Sequence, residues 1–126
     1  MENYLQDGWG RRVSEIRLCA LDDIDDGSSA GFIAEFEDTR LAVMAVRQGD
    51  DAYVYENNCP HIGSPLDFQP GQFLNIERTH IICSTHGALF EIKDGQCISG
   101  PCEGDHLTPL STTVRDGSIY VSAPAP

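Results

Sequence analysis

The chain is short of positive charge. Twenty Asp and Glu face eight Lys and Arg, which leaves a net charge of −12. Such a surface repels nucleic acid, whose binding rests on cations paired with phosphates, so no nucleic-acid partner is expected. The excess suits an encounter with a protein that carries a basic patch. It equally serves solubility alone. The distribution is uneven: residues 1–58 hold thirteen acids and five bases, and residues 59–110 hold six and two. The acidic stretch Asp22, Asp23, Asp25 and Asp26 reads as a solvated turn.

Long apolar runs are missing as well. None approaches the ~20 residues of a membrane helix. The polar segment 1–12 contains no apolar signal region. A soluble, cytoplasmic protein with no membrane partner is expected, although another chain can supply an anchor. A sustained helical period is also absent, and 1–12 offers room for one short helical turn. The five cysteines, Cys19, Cys59, Cys83, Cys97 and Cys102, make an odd count. Without a leader, an odd count argues against a disulfide scaffold. It favours metal binding, chemistry, or burial as small apolar side chains.

What is present is a β rhythm. The 126 residues suffice for one domain. Short alternating or apolar runs predict strands over 15–20, 31–37, 41–47, 52–56, 79–83, 88–92, 107–114 and 118–122. Asp116-Gly117 is a strong hairpin signal between the last two. The rhythm breaks over 58–78, which contains Pro60, Gly63, Pro65, Pro70 and Gly71. A loop of that length in a small domain is usually functional. Evenly spaced short strands predict an all-β, antiparallel sandwich or barrel with such loops projecting from it.

Two clusters of ligand-type residues sit where the rhythm breaks. One is Cys59-Pro60-His61 and the other Cys83-Ser84-Thr85-His86, with twenty-one residues between them. Two sulfur and two nitrogen ligands suit zinc or iron–sulfur chemistry. In a mixed-ligand [2Fe–2S] centre, two thiolates hold one iron and two imidazoles the other. Each loop must then give one ligand to each iron, and the repeated Cys-then-His order does so. Gly63 and Gly87 follow the pairs, and a residue without Cβ lets backbone N–H groups approach sulfur.

The pattern C-x-H, a long interval, then C-x-x-H resembles the Rieske family. The flanking words Cys59-Pro60-His61-Ile62-Gly63-Ser64-Pro65-Leu66 and Cys83-Ser84-Thr85-His86-Gly87-Ala88-Leu89-Phe90 resemble it too. Gly95-Gln96-Cys97-Ile98-Ser99-Gly100-Pro101 is similar to the family's proline loop, which covers the cluster. The likeness runs from about Ile16 to Val121. It implies an antiparallel β fold, with a cluster-binding subdomain of loops at one tip. It also implies one [2Fe–2S] cluster per chain, held by Cys59, His61, Cys83 and His86, with the histidines near solvent. On this reading 1–14 is an N-terminal extension, 15–122 the domain and 123–126 a tail.

Departures from the family pattern narrow the branch. Respiratory-chain members carry an extra cysteine in each cluster loop, and the two form a disulfide. Ser64 and Thr85 stand there in this chain. Those members also place serine and tyrosine hydroxyls against sulfur, where this chain has Ala88 and Phe90. Fewer donors imply a potential near the low end of the Rieske range, roughly −150 mV. That resembles the Rieske ferredoxins serving aromatic-ring oxygenases. The interval between the pairs is longer than is common, and the excess falls around Phe68–Phe73. Terminal oxygenases add a large domain with a mononuclear iron, for which 126 residues leave no room.

Plainer readings compete at each position. Structural zinc fits the one-residue gap Cys59-x-His61 poorly. Cys97 and Cys102 are read as reduced thiols in a covering loop, and Cys19 as strand packing. His80 reads as a strand-surface residue and His106 as an exposed loop residue. Trp9, Tyr53, Tyr55 and Phe68 are assigned to packing, and Asp67 to a solvated loop. The expected role is a one-electron carrier, not an enzyme, moving electrons from a flavin-containing reductase to a terminal oxygenase. It would dock through an uncharged tip formed by Pro60, Ile62, Gly63, Pro65, Ala88 and Pro101. The alternative is a small subunit of the nitrite reductase type.

Overall fold

The computed structural model describes residues 3–6, 12–36, 39–59, 66–67, 72–83, 87–100 and 104–122. Within these residues the chain folds into three antiparallel sheets stacked about two cores. The middle sheet joins β3 (Ser29–Glu35), β4 (Arg40–Gln48) and β5 (Asp51–Glu56) in sequence order. Its centre strand explains the stack. Val43, Met44, Ala45 and Val46 are all fully buried. Successive side chains of a strand point to opposite faces. Val43 and Ala45 therefore enter one core, and Met44 and Val46 the other. A continuous apolar run is what a strand covered on both faces requires.

The core of Val43 and Ala45 is closed by the first sheet. That sheet contains β1 (Asn3–Gln6), β2 (Arg12–Ala20), β9 (Ser111–Arg115) and β10 (Ser118–Ser122), in the order β1-β2-β10-β9. Ile119 and Val121 of β10 are fully buried there. The β9–β10 hairpin turns at Asp116 (φ 52°) and Gly117 (φ 73°). Two consecutive left-handed residues make a type I′ turn, as Asp-Gly predicts. The core of Met44 and Val46 is closed by the third sheet. That sheet contains β6 (His80–Ile82), β7 (Leu89–Glu91) and β8 (Cys97–Ser99) in sequence order.

Three sequence expectations need correction. The segment 1–12 does not contribute a helical turn at its described residues: Asn3–Gln6 is a strand, paired with Arg12–Glu15 of β2. Its backbone completes a ladder, and a polar sequence does not advertise that. The strand expected over 107–114 begins only at Ser111. Pro109, which has no N–H to donate, forms an isolated bridge to Tyr55. Beside it, Glu56 N–H donates to Thr108 O and Leu110 N–H to Val54 O. The excursion 58–78 is not structureless throughout, because Leu74 bridges Ile81 and Arg78 N–H closes a turn on Asn75 O. The acidic stretch is an exposed turn, as expected, and it is also tethered. Arg47 Nη1 donates to Ile24 O at 3.0 Å and to Asp22 Oδ1 at 3.3 Å. Asp26 Oδ1 accepts from Gly49 N–H at 2.7 Å. Among the described residues no helix is long and apolar enough to cross a membrane.

Candidate metal centre

The first ligand loop leaves the end of β5. Asn57 N–H donates to Ala42 O at 2.8 Å, extending the β4–β5 ladder one step beyond the strand. The chain then turns inward, and Cys59 is almost completely buried. The loop returns at Leu66, which is fully buried. Its two ends are tied by one side chain: Asn57 Oδ1 accepts from Leu66 N–H at 2.7 Å, and Asn57 Nδ2 donates to Asp67 Oδ1 at 3.1 Å. Asp67, expected to be merely solvated, is a partner in that closure.

The second loop joins β6 to β7. Cys83 N–H donates to Ala88 O, and Gly87 N–H donates to Cys83 O, both at 2.9 Å. Gly87 sits at φ 69°, a conformation that costs a glycine little. Cys83 is fully buried. Both thiols lie in one core cluster with Leu66, Phe73, Ile81, Ala88, Phe90 and Leu107, and neither is in a disulfide. Ala88 and Phe90 are buried and bring no side-chain hydrogen-bond donor.

The root of the third loop packs against the second at Ala88. Gly100 adopts φ 102°, and a Cβ on it would stand 2.8 Å from Ala88 Cα and 3.0 Å from Ala88 Cβ. No other residue type fits so close to a neighbouring backbone. Cys97 is buried at the root of this loop, and its Sγ donates to Ser99 O at 3.3 Å. In the same core stands Tyr55, whose hydroxyl donates to Ile92 O at 2.6 Å. Burial, first, and the nearby Asp94 raise its phenol pKa well above the usual tyrosine range. Tyr55 is thus a buried pillar, and a Cβ at Gly95 would meet its ring at 2.8 Å.

The remaining expectations fall as follows. His80 is partly buried, with Nδ1 2.9 Å from Thr79 Oγ1. His106 is exposed beside Leu107 O at 2.9 Å. Neither belongs to the loop cluster. Cys19 is buried in β2 and unbridged. His61, His86, Ser64, Thr85, Cys102, Trp9 and Phe68 lie outside the described residues, as do Pro60, Ile62, Gly63, Pro65 and Pro101 of the expected tip and the tail 123–126. Asn57 escaped the sequence reading, and Gly100 was read only as part of the proline-loop resemblance. For Asn57 the available signal was an amide residue placed just before an inward-turning cysteine.

The profile of the Rieske [2Fe–2S] domain matches residues 14–115. The chain belongs to the Rieske family. Solved structures agree with the Rieske fold. The ferredoxin of carbazole 1,9a-dioxygenase from Nocardioides aromaticivorans IC177 superposes with a TM-score of 0.68 at 26% identity, over 88% of this chain and 98% of that one. The Sphingomonas yanoikuyae B1 ferredoxin superposes with a TM-score of 0.66 at 25% identity, over 87% and 99%. A putative nitrite reductase NADPH small subunit shares the fold, with a TM-score of 0.63 at 22% identity, over 86% and 98%. No curated protein sequence matches the chain.

A Rieske domain binds a [2Fe–2S] cluster and is an electron-transfer component. The residues present fit that group. Two buried thiols, neither in a disulfide, belong to one core cluster at the roots of two loops, and thiolate is the ligand iron–sulfur clusters require. The cluster supplies the one-electron chemistry; the protein supplies ligation, burial and the hydrogen bonds around it.

Proposed function

We propose that this chain is a Rieske-type ferredoxin. It takes single electrons from a flavin-containing reductase and passes them to a terminal oxygenase, such as a ring-hydroxylating dioxygenase. Cys59 and Cys83 hold one iron, and His61 and His86 hold the other. No residue acts as a catalytic acid, base or nucleophile. Residues 15–122 form the working domain in the cytoplasm, and 1–14 are an extension that lends β1 to the first sheet.

The observation that carries this reading is the burial of both thiols in one core cluster, each followed within three residues of sequence by a histidine. The oxygenase partner is supported by likeness to the ferredoxin of carbazole 1,9a-dioxygenase, which this chain matches over almost that protein's full length. Ala88 and Phe90, lacking donors, support a potential near roughly −150 mV. The shared fold of the nitrite reductase small subunit supports a second reading, in which the chain is a permanent part of a larger reductase.

The purified protein is expected to be red-brown, to hold about two irons and two labile sulfides, and to bleach on reduction. His61→Ala or His86→Ala is expected to abolish that spectrum. A colourless protein containing a single zinc, or a spectrum that survives either change, overturns the assignment. Size-exclusion with candidate partners separates a free carrier from an obligate subunit.

A further inference from the structure

We infer that Asn57 is the positioning residue of the first ligand loop. Its carboxamide joins the loop's entry to its exit and so sets where the loop presents its ligands. The inference rests on the proposed ligation by Cys59 and His61.

Three observations converge on this side chain. Its own backbone is held to the middle sheet through Ala42 O at 2.8 Å, so it is fixed to the rigid part of the fold. Both ends of its amide are used: Oδ1 accepts from Leu66 N–H at 2.7 Å, and Nδ2 donates to Asp67 Oδ1 at 3.1 Å. Residues 58–65, the entire ligand stretch, therefore lie inside a loop closed by one residue. The exit is anchored in turn, because Leu66 is fully buried in the same core as Cys59 and Cys83. No residue with only a donor or only an acceptor can make both bonds. The closure also needs no disulfide to the second loop, since Ser64 of the first loop and Thr85 of the second offer no cysteine pair.

A purely structural role would lower the melting temperature but leave the cluster's signature in folded molecules unchanged. A positioning role changes the signature itself. The cluster-loaded protein is therefore compared with Asn57→Ala and Asn57→Asp in three measurements. These are the electron paramagnetic resonance spectrum of the reduced form, the midpoint potential, and the rate of bleaching by an iron chelator. Losing these bonds is expected to shift or broaden the resonance, move the potential, and speed bleaching by about tenfold in Asn57→Ala. Asn57→Asp keeps the acceptor for Leu66 but sets a carboxylate against Asp67, and is expected to bleach several-fold faster than wild type.

A wild-type resonance, potential and bleaching rate in folded Asn57→Ala overturns the inference. If that variant fails to fold, Asn57→Asp decides by the same criteria. His61→Ala, measured alongside, keeps the two readings apart. Retained spectrum there refutes the ligand assignment. Lost spectrum there, with unaltered Asn57 variants, refutes only the positioning role.

Discussion

At the scale of single residues, burial decides chemistry. Cys19, far from the ligand loops in sequence, is buried in β2, and its thiol is pushed up to about 11 from an ordinary 9.0. Burial is the larger cause and the Asp23 carboxylate the second, against a smaller opposing effect of Arg17. The folded state thus favours the neutral thiol. The stability this contributes is complete below pH 9 and is lost as pH rises from 9 towards 11. The raised pKa sets a ceiling on the order of 2–3 kcal/mol on that loss. Denaturant titrations at pH 8 and 11 are expected to show that loss in the wild type and a shallower one in Cys19→Ala. Equal slopes would mean that this thiol does not titrate with unfolding. The cysteine in the sequence was read as strand packing, and it packs as read. Its titration could not be read, because Asp23 comes near only through the turn that follows β2.

At the scale of elements, the site depends on loops leaning on one another. The β8 loop presses Gly100 onto Ala88 of the second ligand loop, with 2.8 Å from the position of a Cβ to Ala88 Cα. Gly100→Ala meets two penalties, a left-handed backbone at φ 102° and a collision with backbone. The expected cost is about 2–4 kcal/mol, with faster cluster bleaching because Gly100 is forced off Ala88. Thermal melting and chelator kinetics check this, and a variant within 0.5 kcal/mol of wild type (about the noise of a surface change) would show that the contact relaxes freely. The proline-loop resemblance pointed to a cover, but the contact between Gly100 and Ala88 joins residues twelve apart in sequence. No local pattern encodes such a pair. β8 itself, with three residues, is too short to show a period. The segment 107–110 was legible as extended chain. That it spans sheets, with Leu107 N–H on Gly95 O and Leu110 N–H on Val54 O, was not.

At the scale of the whole molecule, charge is segregated. Asp22, Asp23, Asp25, Asp26, Asp50 and Asp51 gather where β4 turns into β5, tied there by Arg47 and by the Asp26–Gly49 bond. β5 then runs from Asp51 to Glu56 before reaching Cys59. At ~3.3 Å per residue the acidic end stands roughly 16 Å or more from the ligand loops. Other described arginines are engaged locally, Arg40 with Glu35 at 3.0 Å and Arg115 with Glu15 at 2.6 Å. Like charges so placed repel in the folded state, and salt screens them over a Debye length of about 10 Å at 0.1 M. Raising sodium chloride from low to moderate concentration is expected to raise the melting temperature by about 4 °C, the equivalent of roughly 1 kcal/mol. Asp25→Asn with Asp51→Asn is expected to recover part of that gain without salt. A melting temperature indifferent to salt would show that the aspartates do not strain the fold.

The chain's order of residues was enough to determine an antiparallel β protein, the Asp116-Gly117 hairpin and the spacing of two Cys-His pairs. Each is a local property: a period of two, a dipeptide that tolerates left-handed backbone, a spacing of ligands. Tertiary structure alone decided that Val43–Val46 divide two cores, that a polar N-terminal segment becomes a strand, and that one asparagine closes the first ligand loop. Those outcomes depend on partners distant in sequence, and burial or a ladder bond arises only when the chain brings them together.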